Sequence, residues 1–301
     1  MPNRTETIHL PHLGESWPVI FMILLGWSSY SMADVSVKLL VNDYSIWQIM
    51  HIASGANILL LGGWLFFGHG LKGFIPEKIG WQMVRTAIVA VLALSIVNAF
   101  ARIPIADVYG ITFAAPFLTL ILVSFFLKEP VGWQRWLTVI VGFIGVLIMA
   151  GPQFQDLNTG YLLALSAMIC IGLSSFVLRK VGKKDPPALY GFYPIVAIFI
   201  ITTPLALPVY QMPEIQDLWK FSLQILGIMG GQVFVSYATA NAKETAAIAP
   251  FVYVQIIWGV LFGYFIFDDV LKPEALLGMS LIIGAGLYMI YRERQMKKLK
   301  N

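Results

Sequence analysis

Residues 137–149 read LTVIVGFIGVLIM, a run in which Thr138 is the only polar side chain. Its apolar residues cover every side of a helix and do not alternate with polar ones, as they would in a membrane β-strand. A helix needs about 20 such residues to cross a bilayer core. Apolar blocks of this kind recur from Trp17 to Tyr291, separated by short polar breaks. The chain is therefore predicted to be an all-α integral membrane protein.

The composition supports this class. Of the 301 residues, 58% are hydrophobic and 12% are charged, whereas about 25% of the residues in a soluble chain are charged. The single cysteine excludes an intrachain disulfide. Ten transmembrane helices are predicted, at residues 17–40, 46–67, 81–101, 105–127, 133–151, 159–180, 188–209, 219–240, 245–267 and 273–291.

The distribution of basic residues predicts how the chain is oriented. Lysine and arginine concentrate in the cytoplasmic segments of membrane proteins. With the N-terminus inside, only four of the 20 basic residues fall outside, namely Lys38, Arg102, Lys220 and Lys272. We therefore predict a multi-pass protein of the cell (inner) membrane with both termini cytoplasmic. Residues 1–16 form one tail, and residues 292–301 form a basic tail that lies near anionic lipid. Because the basic residues follow topology, no nucleic-acid partner is expected.

The chain contains an internal repeat. Residues 122–145 match residues 261–284 in their aromatic, acidic and glycine positions: Phe125-Phe126 aligns with Tyr264-Phe265, Glu129 with Asp268, and Ile144-Gly145 with Ile283-Gly284. The predicted halves are residues 17–151 and 159–291, with five helices each. An odd number of helices places the second half in the membrane upside down relative to the first. Inverted repeats of this kind are typical of secondary transporters.

Both halves of the sequence resemble a known family. Residues 101–151 resemble the second part of an EamA domain of the drug/metabolite transporter superfamily, and residues 240–291 resemble its counterpart in a second EamA domain. The shared features are a small-residue stretch, a proline, an acidic loop residue and a glycine-rich helix. The resemblance implies a central cavity between two five-helix halves. In one departure, Gln255 aligns with Pro116, so a bend in the ninth helix would come from Pro250.

Polar side chains in the predicted helices mark where a solute would bind. They are costly in a bilayer, so they face an interior or a cavity. The fifth and tenth helices are almost wholly apolar and are expected at the periphery, with the other eight around a cavity. Each candidate has an alternative role as an interhelical hydrogen bond or packing contact. The candidates are Tyr30, Asp34, His51, Asn98, Tyr109, Gln232, Tyr237, Asn241, Gln255 and Trp258.

Arg102 and Asp107 are predicted to act as a gate. They flank the turn at residues 103–105, on the outer side. Their charges can pair with each other or with Asp34 and Lys38, closing the outer vestibule in one state only. The alternative is a static surface pair worth about 0–1 kcal/mol.

The predicted function is secondary transport of a small polar metabolite, an amino acid or related zwitterionic solute, by alternating access. A coupling ion such as H+ is possible. A channel or facilitator is the alternative, and an intramembrane enzyme is the less favoured one, since the sequence has no zinc, nucleophile-elbow or phosphate-loop motif. No catalytic residue, metal or cofactor is predicted. The spacings Gly227–Gly231 and Gly259–Gly263 allow close helix packing, either within the chain or in a homodimer.

Overall fold

The computed structural model describes residues 17–126, 133–150, 158–181, 185–242, 248–269 and 272–300. Within these residues, the first half contains six helices: α1 (Trp17–Leu40), α2 (Ile46–His69), α3 (Ile79–Phe100), α4 (Ile105–Thr112), α5 (Ala115–Phe126) and α6 (Trp133–Ala150). The described part of the second half contains five: α7 (Thr159–Val181), α8 (Pro187–Ala206), α9 (Leu218–Asn241), α10 (Val254–Phe267) and α11 (Pro273–Lys300). Short 3-10 helices cover Gly70–Phe74, Leu207–Val209, Ile215–Asp217 and Ala249–Tyr253.

In the part of the chain that the structure describes, seven helical segments are long and apolar enough to cross a membrane: Trp17–Leu40, Ile46–Phe74, Ile79–Phe100, Ile105–Phe126, Thr159–Leu178, Ala188–Val209 and Ile215–Thr239. Three shorter apolar helices cover Trp136–Ile148, Phe251–Phe267 and Pro273–Tyr288. The prediction of a multi-pass membrane protein is therefore confirmed, while the number of ten spans stays a prediction. Residues 1–16, 127, 151 and 245–247 of the predicted tail and spans lie outside the described residues, and α11 continues beyond residue 291 into the basic tail.

Proline accompanies a break in the helix at matching places in the two halves. The predicted span 105–127 is interrupted at Phe113 and Ala114, so that it forms α4 and α5. Pro116 lies in the first turn of α5, where its missing N–H leaves no intrahelical bond unmade. In the second half, Pro250 lies in the first turn of the 3-10 helix that precedes α10. The irregularity expected from Pro250 is therefore present.

The two halves pack on each other through matching pairs of helices. α1 contacts α9 and α3 contacts α7, while α2 contacts α8 and α6 contacts α11. If the first five spans correspond in order to the last five, α1 corresponds to α7 and α9 to α3. The contact of α1 with α9 is then equivalent to the contact of α7 with α3. The other two join a helix to its own counterpart. α2 and α8 run antiparallel, because Gly55 lies against Phe199 and Gly62 against Phe192. This is the reciprocity of a two-fold interface, in which each side presents the same surface.

Glycines set the distance between α1 and α9. A Cβ added to Gly227 would lie 2.7 Å from the Ser29 carbonyl oxygen, and one on Gly231 would lie 2.6 Å from the Tyr30 ring. In the same way, a Cβ on Gly259 of α10 would lie 2.7 Å from the Tyr109 ring. Both glycine spacings seen in the sequence therefore serve packing within the chain, where small residues let helices approach closely.

The two helices predicted at the periphery, α6 and α11, expose apolar faces in the structure. α6 and α11 pack against each other, and a Cβ on Gly145 would lie 2.7 Å from the Gly278 carbonyl oxygen. Their other faces expose large apolar side chains, among them Leu137, Phe143 and Leu276. Such faces suit contact with lipid.

The close packing of α1 on α9 predicts that Gly227→Ala destabilises the protein. The added methyl group meets the α1 backbone, which cannot rotate away as a side chain can, and overpacking of this kind costs about 1–3 kcal/mol. Gly63→Ala is the matched control, because a Cβ there meets nothing within 4 Å. The melting temperature of the detergent-purified protein should fall in Gly227→Ala and not in Gly63→Ala. Equal melting temperatures would contradict the packing.

Candidate functional site

A cavity of about 380 Å³ lies between the two halves. Small-molecule sites measure about 300–1,000 Å³. Side chains from six helices line it, three from each half: α1, α2, α3, α7, α8 and α9. Eight predicted helices are expected around the cavity. Two of them, which correspond to α4 with α5 and to α10, contribute none of the described lining residues. The polar lining residues are Tyr30, Ser54, Asn57, Arg85, Ser174, Ser175, Tyr190, Gln224 and Gln232.

Two residues predicted from the sequence meet in this cavity. The Tyr30 hydroxyl of α1 donates a hydrogen bond to Gln232 Oε1 of α9, at 3.2 Å. The amide of Gln232 donates in turn to Ser236 Oγ, at 3.3 Å. Gly191 makes room for this amide, because a Cβ there would lie 2.9 Å from it. The pair links one helix of each half across the cavity wall.

Arg85 also lines the cavity, and sequence reasoning missed it. Its Nη1 donates to the Tyr190 carbonyl oxygen at 2.7 Å, and the guanidinium lies 5.5 Å from the centre of the Tyr190 ring. The count of basic residues assigns Arg85 to the inner side, although it lies within the predicted helix at residues 81–101. In the structure, α3 begins six residues earlier, at Ile79. The apolar residues on both sides of Arg85 are the signal that identifies it as a residue within the membrane.

Two buried amides of the cavity wall were missed as well. Asn57 of α2 donates through Nδ2 to the carbonyl oxygens of Ala53, at 2.9 Å, and Ile225, at 3.4 Å. Gln224 lies on α9, two helical turns before Gln232. The spacing of Gln224, Ile228 and Gln232 places all three on one helix face, and this periodicity is the signal in the sequence that points to Gln224.

Four predicted site residues lie instead in a packed seam between α1 and the helices α4 and α10. The Tyr109 hydroxyl lies 2.6 Å from Asp34 Oδ2, to which it donates, and Trp258 Nε1 donates to Ser28 Oγ at 2.8 Å. Gln255 is buried on α10. None of these four belongs to the described lining of the cavity. These residues therefore have the role that was named above as the alternative to solute binding, namely contacts between helices.

The remaining four candidates are not among the described residues that line the cavity. His51 stacks on Phe199 with ring centres 4.4 Å apart. Asn98 and Asn241 each donate to a carbonyl oxygen four residues earlier on their own helix. The side chain of Tyr237 is 48% exposed. Their part in solute binding stays a prediction.

The charge pairing predicted for the outer turn differs from the pairing in the structure. Arg102 is exposed and donates to Asn98 of the preceding helix α3, at 2.6 Å to the carbonyl oxygen and 2.9 Å to Oδ1. Asp107 is buried and accepts a hydrogen bond from the Tyr161 hydroxyl at 2.6 Å. Arg102 and Asp107 therefore bond to different partners and not to each other. Lys38 pairs with Asp269 at 2.6 Å, not with Asp34.

The fold and the cavity define a class of protein. Matching helical halves line a cavity between them, and the helices are apolar enough to cross a membrane, as in a membrane transporter built from two repeats. The model of the EamA-like transporter family matches residues 17–151 and residues 158–292. The chain therefore belongs to the EamA-like transporter family, and it is a transporter of the drug/metabolite type.

Named relatives are similar over much of the chain. An S-adenosylmethionine uptake transporter of Rickettsia felis is 28% identical over 92% of this chain and 94% of its own length. A riboflavin transporter of Vibrio cholerae is 27% identical over 69% of this chain and 70% of its own length. A crystal structure that is 13% identical has a TM-score of 0.62 and covers 92% of this chain and 97% of that chain, which shows that the fold is shared. These relatives support a transporter of small metabolites.

The location of the cavity predicts different results for two tyrosines. Tyr30→Leu removes a hydroxyl from the cavity wall and should raise the KM for uptake into proteoliposomes of a solute that the wild type carries. Tyr237→Leu makes the same chemical change on an exposed face and should leave uptake unchanged. Size-exclusion profiles establish that both variants fold. The reverse result would move the binding site to the face of Tyr237, where the sequence analysis also places it.

Proposed function

We propose that this protein is a secondary transporter that carries a small polar metabolite, an amino acid or related zwitterionic solute, across the cell (inner) membrane by alternating access. The cavity between the halves is the observation that carries this proposal. Three helices of each half line it, so a movement of one half against the other would change its access while its lining residues stay together. Inverted repeats work in this way in other transporters.

The relatives support the chemical class of the solute. S-adenosylmethionine contains an amino-acid group joined to a purine nucleoside, and riboflavin is a polar aromatic metabolite. A site for such solutes needs hydrogen-bonding groups together with an apolar or aromatic wall. The cavity offers both, since Tyr30, Gln224 and Gln232 lie among aliphatic side chains.

The proposed topology has ten spans in two inverted five-helix repeats, with both termini cytoplasmic. The antiparallel packing of α2 on α8 supports the inversion, because these helices hold equivalent places in the two halves. The three shorter apolar helices supply the spans beyond the seven longer ones. A homodimer and coupling to an ion such as H+ belong to the same proposal. Asp34 is the candidate for carrying the proton, because it is the acidic residue of α1 and lies one helical turn after the cavity residue Tyr30.

Counterflow separates a carrier from a channel or facilitator. In proteoliposomes loaded with unlabelled S-adenosylmethionine or riboflavin, a carrier should accumulate the labelled solute transiently above equilibrium, because each inward step is exchanged for an outward one. A channel equilibrates the label without overshoot. Liposomes without protein are the control. Saturable flux without overshoot for both solutes would contradict alternating access for them.

We propose that the outer gate consists of contacts that join the two halves. Lys38 of α1 pairs with Asp269, which follows α10, and Tyr161 of α7 donates to Asp107 of α4. The Tyr44 hydroxyl likewise donates to Asp217 across the halves, at 2.8 Å. A contact acts as a gate only if it differs between the two states. Asp107 keeps the gating role predicted from the sequence, with Tyr161 as its partner.

Breaking the Lys38 pair should open the outer side. In a Cys170→Ser, Ser54→Cys background, Lys38→Glu should raise the rate at which an impermeant thiol reagent labels the cavity from outside. The expected increase is about fivefold, because a pair worth about 1 kcal/mol changes a two-state ratio by roughly that factor. The double variant Lys38→Glu, Asp269→Lys should restore the slow rate.

Arg102→Glu is the matched control for this experiment. It makes the same type of charge reversal in the turn after α3, where Arg102 bonds only to Asn98 of α3 among the described residues. It should not change the labelling rate. A larger effect for Arg102→Glu than for Lys38→Glu would restore the gate predicted from the sequence and reject the Lys38 pair.

A further inference from the structure

Arg85 is the only charged residue among the described side chains that line the cavity. A guanidinium has five N–H donors. One nitrogen, Nη1, donates to the Tyr190 carbonyl oxygen, and Nε is buried without a partner. In the part of the chain that the structure describes, no carboxylate pairs with Arg85. Charged side chains inside a membrane normally pair with another protein group or face a transported species.

Two amide oxygens of the cavity wall also lack partners. Asn57 is fully buried and Gln224 is 2% exposed, and neither Asn57 Oδ1 nor Gln224 Oε1 accepts a hydrogen bond. The orientation of Asn57 is fixed, because its Nδ2 already donates to two backbone carbonyl oxygens. A buried acceptor without a donor costs about 1–3 kcal/mol. Arg85 and these two residues all line the cavity, so its described wall contains one cation without a carboxylate partner and two buried acceptors without donors.

The rest of the wall near Arg85 is apolar. Val89, Ala93 and Val97 follow it on α3 at spacings of four residues, so they share one helix face, and all three line the cavity. The Tyr190 ring covers the guanidinium on the side of α8. A solute that reaches Arg85 thus lies with its charged end towards the start of α3 and its carbon skeleton along this face.

We propose that the cavity binds the amino-acid group of its solute, with the carboxylate on Arg85 and the ammonium N–H groups on Asn57 Oδ1 and Gln224 Oε1. Arginine matches a carboxylate through two parallel hydrogen bonds. One positive charge balances one carboxylate, whereas a phosphate dianion would call for a second cation. This inference rests on the proposed transport function and adds to it the chemical group that is recognised and the residues that recognise it.

Pairs of ligands that differ only in the carboxylate test the role of Arg85. The probes are S-adenosylmethionine with decarboxylated S-adenosylmethionine, L-phenylalanine with phenethylamine, and riboflavin, which has no amino-acid group. Binding to purified protein in nanodiscs is measured by calorimetry. In at least one pair, the wild type should bind the carboxylate member at least tenfold more tightly. Arg85→Gln should reduce this preference to less than twofold, and Arg85→Lys, which keeps the charge but loses the planar fork, should give an intermediate value.

Two further variants complete the test. Arg102→Gln makes the same substitution outside the cavity and should keep the full preference. Gln224→Leu should weaken the binding of both members of a pair alike, because both carry the ammonium group. If Arg85→Gln does not fold, the comparison of ligand pairs in the wild type and in Arg85→Lys still decides the question.

The inference and the transport function fail in different ways. The absence of a carboxylate preference in every wild-type pair, or its survival in Arg85→Gln, would overturn the role of Arg85. Unequal effects of Gln224→Leu on the two members of a pair would overturn the ammonium site. If riboflavin or an amine shows counterflow and the wild type has no carboxylate preference, the protein is a transporter but the amino-acid site is rejected. Tight, Arg85-dependent binding without counterflow of any probe would support the site and reject alternating access.

Discussion

A bilayer provides no hydrogen-bond partners, so each polar group of a spanning helix depends on the protein itself for them. Most polar side chains here satisfy this constraint locally or across a helix seam. Ser29 and Thr203 donate to backbone carbonyl oxygens one turn earlier, and Tyr109 donates to Asp34. The buried side-chain atoms without a partner in the described structure belong to Asn57, Gln82, Arg85, Thr86 and Gln224. Three of these residues line the cavity, and the other two neighbour Arg85 on α3. On our proposal, the unsatisfied groups of the three lining residues serve the solute, while most other polar groups hold helices together.

The scaffold and the cavity differ in symmetry. Helix contacts between the halves repeat in matching pairs, such as α1 with α9 and α3 with α7. The cavity wall is unequal, because the first half supplies Arg85, while the polar lining of the second half is uncharged, as in Gln224 and Gln232. A symmetric scaffold permits two mirrored states of similar energy, and an asymmetric wall holds the solute in one orientation in both. On our proposal, the carboxylate stays with α3 while the access side changes.

The helices were predictable from the sequence, whereas the partners of their polar residues were not. Continuous apolar runs specify a spanning helix regardless of tertiary context, and α1 begins and ends at the predicted residues. A helical stripe specifies a face but not what lies opposite. Tyr30 and Asp34 are one turn apart on α1, yet Tyr30 lines the cavity and Asp34 bonds to Tyr109 in a seam. Arg85 was misread because counts of basic residues near span ends assign them to topology. Only the neighbouring helices reveal that it faces a cavity.

An unpaired arginine in the cavity also bears on how binding and movement are linked. Without solute, the guanidinium depends on the Tyr190 carbonyl oxygen and on whatever water the cavity admits, so a state that closes the cavity is disfavoured. On our proposal, a carboxylate removes that penalty by supplying the missing charge, and the occupied protein closes. A solute shifts a conformational equilibrium only through such a difference in affinity between states. On our gate proposal, the outer contacts, Lys38 with Asp269 and Tyr161 with Asp107, act in the opposite direction, because they hold the outer side shut whether or not the cavity is filled. Exchange between the two access states then requires two free energies to be comparable. One is the stabilisation from binding a carboxylate at Arg85, and the other is the cost of breaking the outer contacts. A gate far stronger than the binding site would lock the carrier, and one far weaker would leave the cavity open to both sides.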